Sequence, residues 1–129
     1  GDVEGVHAMT DVTGFGLIGH LTEMTDHDRL TAELDYASIP LLAGTKEHAA
    51  NMIYPDNTMR NWKAYGEKVN GITGESLLTL CDPQTNGGLL FALDPLAVDE
   101  VKALFEREKV SLYEIGSFRE NSGFCVEVK

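Results

Sequence analysis

Cysteine is scarce in this 129-residue sequence: Cys81 and Cys125 stand far apart, with no Cys-x-x-Cys pair between them. His7, His20, His27 and His48 show no spacing that would complete a shared metal site, so zinc-ribbon and disulfide scaffolds are excluded and both thiols read as packing residues. Basic residues are few as well, with 10 Lys and Arg against 21 Asp and Glu for a formal net charge of −11. That charge repels nucleic-acid phosphates and anionic membrane surfaces, which argues against partners of either kind. No apolar run reaches the roughly 18 residues of a membrane helix, and the N-terminus lacks the basic-then-apolar pattern of a secretory signal; the expectation is a cytoplasmic protein. The sequence also lacks an initiator methionine, repeats, low-complexity tracts and an internal linker. It reads as one domain over residues 1–129, a piece of a longer protein, with 43% hydrophobic residues to form a single core.

What is present is concentrated in the stretch from His7 to His20. Thr10, Asp11 and Thr13 place a carboxylate between two hydroxyls just before Gly14 and Gly16, which let the backbone turn tightly and approach a ligand. The free N–H groups and dipole of the following helix favour an anion there, and Asp11 can hold the cation that accompanies a phosphate. The plain alternative is that Asp11 caps the helix or braces the turn, and that Thr10 and Thr13 are strand or cap residues. His20 lies one turn into the helix, where a lone histidine is more often a packing residue than a ligand.

The same glycines admit a second reading. Gly14-x-Gly16-x-x-Gly19 fits a dinucleotide fingerprint, and Asp35 stands where a ribose-binding acid belongs. Against it, a Rossmann first strand is an apolar run, and Thr10, Asp11 and Thr13 are polar where that run should continue.

Periodicity along the chain predicts alternating strands and helices. Val6 to Val12 reads as a strand, Leu17, Ile18, Leu21 and Met24 as one helical face, and Leu30 to Tyr36 as a strand with one wetted face. A helix is expected from Leu41 to Met52 behind Pro40, then a long ordered loop over residues 53–74 with a short helical piece near Trp62, an interface or core anchor. Glu75 to Leu80 reads as a short helix and Leu89 to Leu93 as a buried strand. Ala97, Val101, Leu104 and Phe105 recur at helical spacing behind Asp94-Pro95, and Tyr113 to Phe118 with Phe124 to Val128 read as a closing hairpin. The expected fold is α/β (α+β), a two-layer sandwich with a mixed sheet of about five strands and helices mainly on one face. No nucleophile, base and orienter set of the hydrolase kind is visible.

Two motifs, Thr10-Asp11-Val12-Thr13-Gly14-Phe15-Gly16-Leu17 and Cys81-Asp82-Pro83-Gln84-Thr85-Asn86-Gly87-Gly88-Leu89-Leu90, resemble the C-terminal domain of selenophosphate synthetase, the selenide, water dikinase family. The resemblance runs from about His7 to the C-terminus, and the pair Arg60-Asn61 is also typical of the family. One departure stands out: the family usually carries serine where this chain has Asn86, which keeps a polar side chain and a turn but removes the hydroxyl.

The resemblance implies the two-layer fold of the aminoimidazole ribonucleotide synthetase C-terminal domain, preceded in the full-length chain by an ATP-binding N-terminal domain. It implies an enzyme that makes selenophosphate, AMP and phosphate from ATP, selenide and water. Asp11 would join N-terminal aspartates on Mg2+, with Thr10, Thr13, Gly14 and Gly16 close to the phosphates. Asp82, Gln84, Thr85, Asn86, Gly87 and Gly88 form a second motif, either functional or simply a capped turn. The reactive cysteine or selenocysteine would lie upstream, so these residues alone would be inactive, and the full-length protein would be a homodimer. A third reading makes the domain a bare interface module resting on Trp62 and Phe15.

Overall fold

In the computed structural model, which describes residues 3–25 and 29–129, strand β1 (Val6–Asp11) feeds through a four-residue turn into helix α1 (Gly16–Glu23). His27 lies outside the described residues. Ile18, Gly19, His20, Leu21 and Thr22 are all buried, so α1 is wrapped on nearly every side and not only along one stripe. Its buried hydroxyls are satisfied locally: Thr22 donates to the Ile18 carbonyl at 2.8 Å and Thr25 to the Thr22 carbonyl at 2.7 Å.

Strand β2 (Leu30–Leu34), helices α2 (Thr45–Ala50) and α3 (Asp56–Tyr65), strand β3 (Val69–Asn70), helix α4 (Gly74–Leu80), strand β4 (Leu89–Leu93), helix α5 (Val98–Arg107) and strands β5 (Gly116–Glu120) and β6 (Val126–Val128) follow. The strands form two sheets. β1 pairs antiparallel with β4, while a mixed sheet runs in the order β3-β6-β2-β5, with β2 parallel to β6 and antiparallel to β5.

The core lies between the four-stranded sheet and α1, α3 and α4. Ala32, Leu34, Val69, Val126 and Val128 from the strands meet Ile18, Leu21, Leu80 and Cys81 from the helices. On the other sheet face, Glu33 and Glu127 stand side by side in parallel register, a like-charge pair. Arg119 reaches both, at 3.3 Å from Glu33, and Lys129 also pairs with Glu33, which offsets the repulsion. Helices on one face and a charged second face give the expected α/β sandwich. No described helix is long and apolar enough to cross a membrane.

Several elements depart from the periodicity. Among the described residues the strands number six and divide between two sheets, because β1 pairs along its length with β4 and not with β2. β5 and β6 run in opposite directions but are not a hairpin: β2 sits between them. The buried Thr31 hydroxyl explains the crossing, since it donates to the Phe124 carbonyl at 2.6 Å and accepts from the Ser122 amide at 2.9 Å, pinning the connection across β2. Helix α2 is shorter than expected, because Gly44 adopts φ +85° and delays its start to Thr45. The short helical piece expected near Trp62 is the ten-residue α3, which extends into residues expected as loop and starts behind Pro55 with Asp56 in its first turn. In β4 only Leu90 is fully buried, and Leu89 is 64% exposed.

Candidate functional site

The two motifs, far apart in sequence, are sewn together by backbone hydrogen bonds. Val12 N–H donates to the Gly88 carbonyl and Gly87 N–H to the Val12 carbonyl, both at 2.9 Å, and Gln84 N–H donates to the Thr13 carbonyl at 3.0 Å. Gly16, at φ +70°, lies so close to the end of α4 that a Cβ would come within 2.8 Å of the Cys81 carbonyl carbon. The conformational freedom of Gly16 therefore serves helix packing. Gly14 is different, because a Cβ there would meet nothing within 4 Å. Gly87 would place a Cβ 2.8 Å from the Val12 carbonyl oxygen, and Gly88 sits at φ +90°, where a side chain is strained.

A residue set aside as typical of the family proves central to this joint. Asn61, buried on α3, donates from its side-chain nitrogen to the Gly14 carbonyl and to the Cys81 carbonyl, each at 2.9 Å. One amide group thus ties the first motif to the second. The sequence signal was the placement of Thr58, Asn61, Trp62 and Tyr65 at helical spacing, masked because two of the inward positions are polar.

Asp11 ends β1 opposite Leu89 and is exposed. It does not cap α1, whose N-cap position is Phe15 with no side-chain cap, and among the described residues its carboxylate has no hydrogen-bond or ion-pair partner. Thr10 donates weakly to the Asp11 carbonyl at 3.3 Å. Leu89, the cross-strand partner of Asp11, and Met9, two residues before it on β1, are exposed at 64% and 65%, and Phe15 in the following turn is 48% exposed. Thr13 N–H donates to Nε2 of His20 at 3.0 Å, and the Thr13 hydroxyl lies 3.2 Å from the same nitrogen.

In the second motif, burial raises the Asp82 pKa above the ordinary carboxylate value, against the lowering effect of the Gln84 amide, which donates to it at 2.6 Å. The Thr58 hydroxyl stands beside it, outside hydrogen-bond geometry yet close enough to favour the charged form. Thr85 and Asn86 are exposed, with no side-chain hydrogen bond among the described residues. Cys81 is fully buried, and desolvation pushes its thiol up to about 12, which removes it as a nucleophile.

Other candidates are not brought to this place. Asp35 accepts from the Ala37 amide at 3.2 Å and from the Ser38 hydroxyl, capping its own short 3-10 turn. With β1 and β2 in different sheets, the parallel β-α-β unit of a dinucleotide fold is missing as well. Trp62 is half-buried against the core, and Arg60 is exposed without an ion pair among the described residues. His7 lies 3.9 Å from Asp94, and no three His, Cys, Asp or Glu side chains among the described residues converge to hold a metal by themselves. The described residues therefore fit one ligand to a cation, Asp11, and not a complete set.

The chain is 42% identical over 128 residues to a selenide, water dikinase of Pseudomonas putida, covering 99% of this chain and 37% of that one. Against the Photobacterium profundum selenide, water dikinase it is 45% identical over 117 residues, covering 89% of this chain and 34% of that one. The chain thus spans about a third of the length of these relatives. The crystal structure of thiamine-monophosphate kinase from Stenotrophomonas maltophilia K279a shares the fold, with a TM-score of 0.56 at 20% identity over 97% of this chain and 32% of that one. A model of the AIR synthase related protein C-terminal domain matches residues 2–129, and the chain belongs to that family.

Proposed function

We propose that the chain is the C-terminal domain of a selenide, water dikinase, an enzyme that converts ATP, selenide and water to selenophosphate, AMP and phosphate. The observation that carries this reading is the exposed Asp11 carboxylate, unpartnered among the described residues, at the seam of the two motifs and opposite the exposed Leu89. A lone carboxylate is an incomplete cation site, and exposed Met9, Phe15 and Leu89 are what a surface covered by another domain looks like. The relatives, about three times longer, have length enough for such a domain.

In this reading Asp11 gives one oxygen ligand to Mg2+ and aspartates of the N-terminal domain give the rest. Bound there, the ion neutralises charge on the phosphates during phosphoryl transfer. Thr10, Thr13 and the Gly14 turn lie next to the phosphates; Gly16 and the second motif hold that turn in place. The full-length enzyme is a cytoplasmic homodimer, and this domain alone is inactive.

Phosphorus NMR of the full-length protein with ATP, magnesium and selenide under anaerobic, reducing conditions tests the reading. AMP, phosphate and a selenide-dependent phosphorus signal are expected, and Asp11→Asn should abolish them. ADP as sole product, or an Asp11→Asn variant of undiminished rate, would refute it.

A further inference from the structure

His20 has a role that neither the family match nor the motifs assign. Its side chain is 8% exposed and enclosed, with the Phe15 ring 5.5 Å from the imidazole and Tyr65 edge-on against Phe15 at 6.0 Å. A backbone amide can only donate, so the 3.0 Å contact from Thr13 N–H fixes Nε2 as the bare, accepting nitrogen and puts the ring proton on Nδ1. The Thr13 hydroxyl, 3.2 Å from that same bare nitrogen, then has one bonding direction toward it: Thr13 donates. Nδ1 is buried and has no hydrogen-bond partner among the described residues, while the Glu23 carboxylate, one turn along α1, stands 4.0 Å away. A buried N–H without an acceptor is costly, and the exposed Glu23 side chain needs only a small rotation to supply one.

We propose that His20, steadied by Glu23, is a positioning residue that turns the Thr13 hydroxyl proton inward, so that Thr13 offers only lone pairs to the ligand site. An acceptor-only hydroxyl suits a cation or metal-bound water and is mismatched to a bare phosphate oxygen. This assigns Thr13 to the magnesium side of the magnesium–nucleotide pair. The inference rests on the proposed Asp11 site and deepens it.

Two measurements on the full-length protein test it. Long-range proton–nitrogen NMR of the His20 imidazole should show Nδ1 protonated and Nε2 bare; a protonated Nε2 overturns the inference without any variant. Calorimetry with a non-hydrolysable ATP analogue should show that Thr13→Val and His20→Phe each weaken binding with magnesium by roughly tenfold and leave binding in excess chelator unchanged. The double variant should be no weaker than either single one, since both act through one hydroxyl. His20→Gln, whose side-chain oxygen can accept from the Thr13 amide, should recover part of the loss and covers the case in which His20→Phe does not fold. Additive losses, or equal losses with and without magnesium, overturn the inference. Asp11→Asn separates the two proposals: if it weakens magnesium–nucleotide binding while the Thr13 and His20 variants do not, only the His20 role fails. If Asp11→Asn has no effect, the site itself fails and takes the His20 role with it.

Discussion

The Asn61 side-chain nitrogen lies 2.9 Å from the Gly14 carbonyl oxygen, joining the middle of α3 to the turn between β1 and α1. The same nitrogen lies 2.9 Å from the Cys81 carbonyl, so its two hydrogens hold two motifs at a fixed spacing.

Asn61→Ala leaves the buried Cys81 carbonyl without this donor and should cost about 1–3 kcal/mol, with a smaller addition from the more exposed Gly14 carbonyl. Asn61→Asp should be worse, because it turns a carboxylate toward two carbonyl oxygens. Urea denaturation of the two variants checks both the size and the order, and equal stability to the native chain would show that the clamp is dispensable.

The two turn glycines should separate. Gly16→Ala places a Cβ 2.8 Å from the Cys81 backbone at φ +70°, and a loss of at least about 1–3 kcal/mol is expected. Gly14→Ala meets open space and should change stability by no more than about 1 kcal/mol. If Gly14 lies against phosphate, its alanine variant keeps its melting temperature while nucleotide affinity falls.

Asp82 carries a pH signature. Its pKa is raised by burial, so the folded chain binds a proton more readily than the unfolded chain does. The resulting destabilisation is present at pH above the folded value and disappears as pH falls below the ordinary carboxylate value. Asp82→Asn, which keeps an acceptor for Gln84, should therefore equal or exceed the native stability at neutral pH and lose that advantage in acid. Thermal melts across pH 3–8, a range of roughly five units around the usual carboxylate value, read this directly.

Glu33 and Glu127 work in the opposite direction. A hydrogen bond from Lys129 lowers the first, and one from Ser122 the second, with Arg119 adding to both. Lowered carboxylates contribute stability above their unfolded value that is lost as pH falls through the folded one. Arg119→Ala should shrink that acid-sensitive share, and added salt should mask the difference because these groups face solvent.

Cys81 should resist thiol reagents at pH 8, since burial holds its pKa at about 12. Reaction of Cys81 in the native state at the rate of a free thiol would mean that the joint behind Gly16 opens in solution.

Much of the fold was legible because it rests on short-range rules. The spacing of Leu17, Ile18 and Leu21 gave α1, the period of two in Leu30 to Leu34 gave β2, and Asp94-Pro95 ahead of Val101 and Phe105 gave α5. The two motifs were legible as sequence patterns, though not the hydrogen bonds that join them. Helix α3 was legible only as a short helical piece near Trp62, because its inward positions Thr58 and Asn61 are polar, and polar residues on a buried face erase the hydrophobic period. Asn61 is there for hydrogen bonds to partners 20 and 47 residues away, which no local window contains.

The sequence by itself determined α1, β2 and α5, the glycine turn, the acidic surface and the presence of two family motifs, since each depends on composition or on residues within a turn or two of one another. Only the tertiary structure decided that β2 divides β5 from β6, that Asn61 joins the motifs, that His20 faces Thr13 and that Asp11 is left without a partner among the described residues. These depend on which buried polar group finds which distant donor or acceptor, and that is settled when the layers pack.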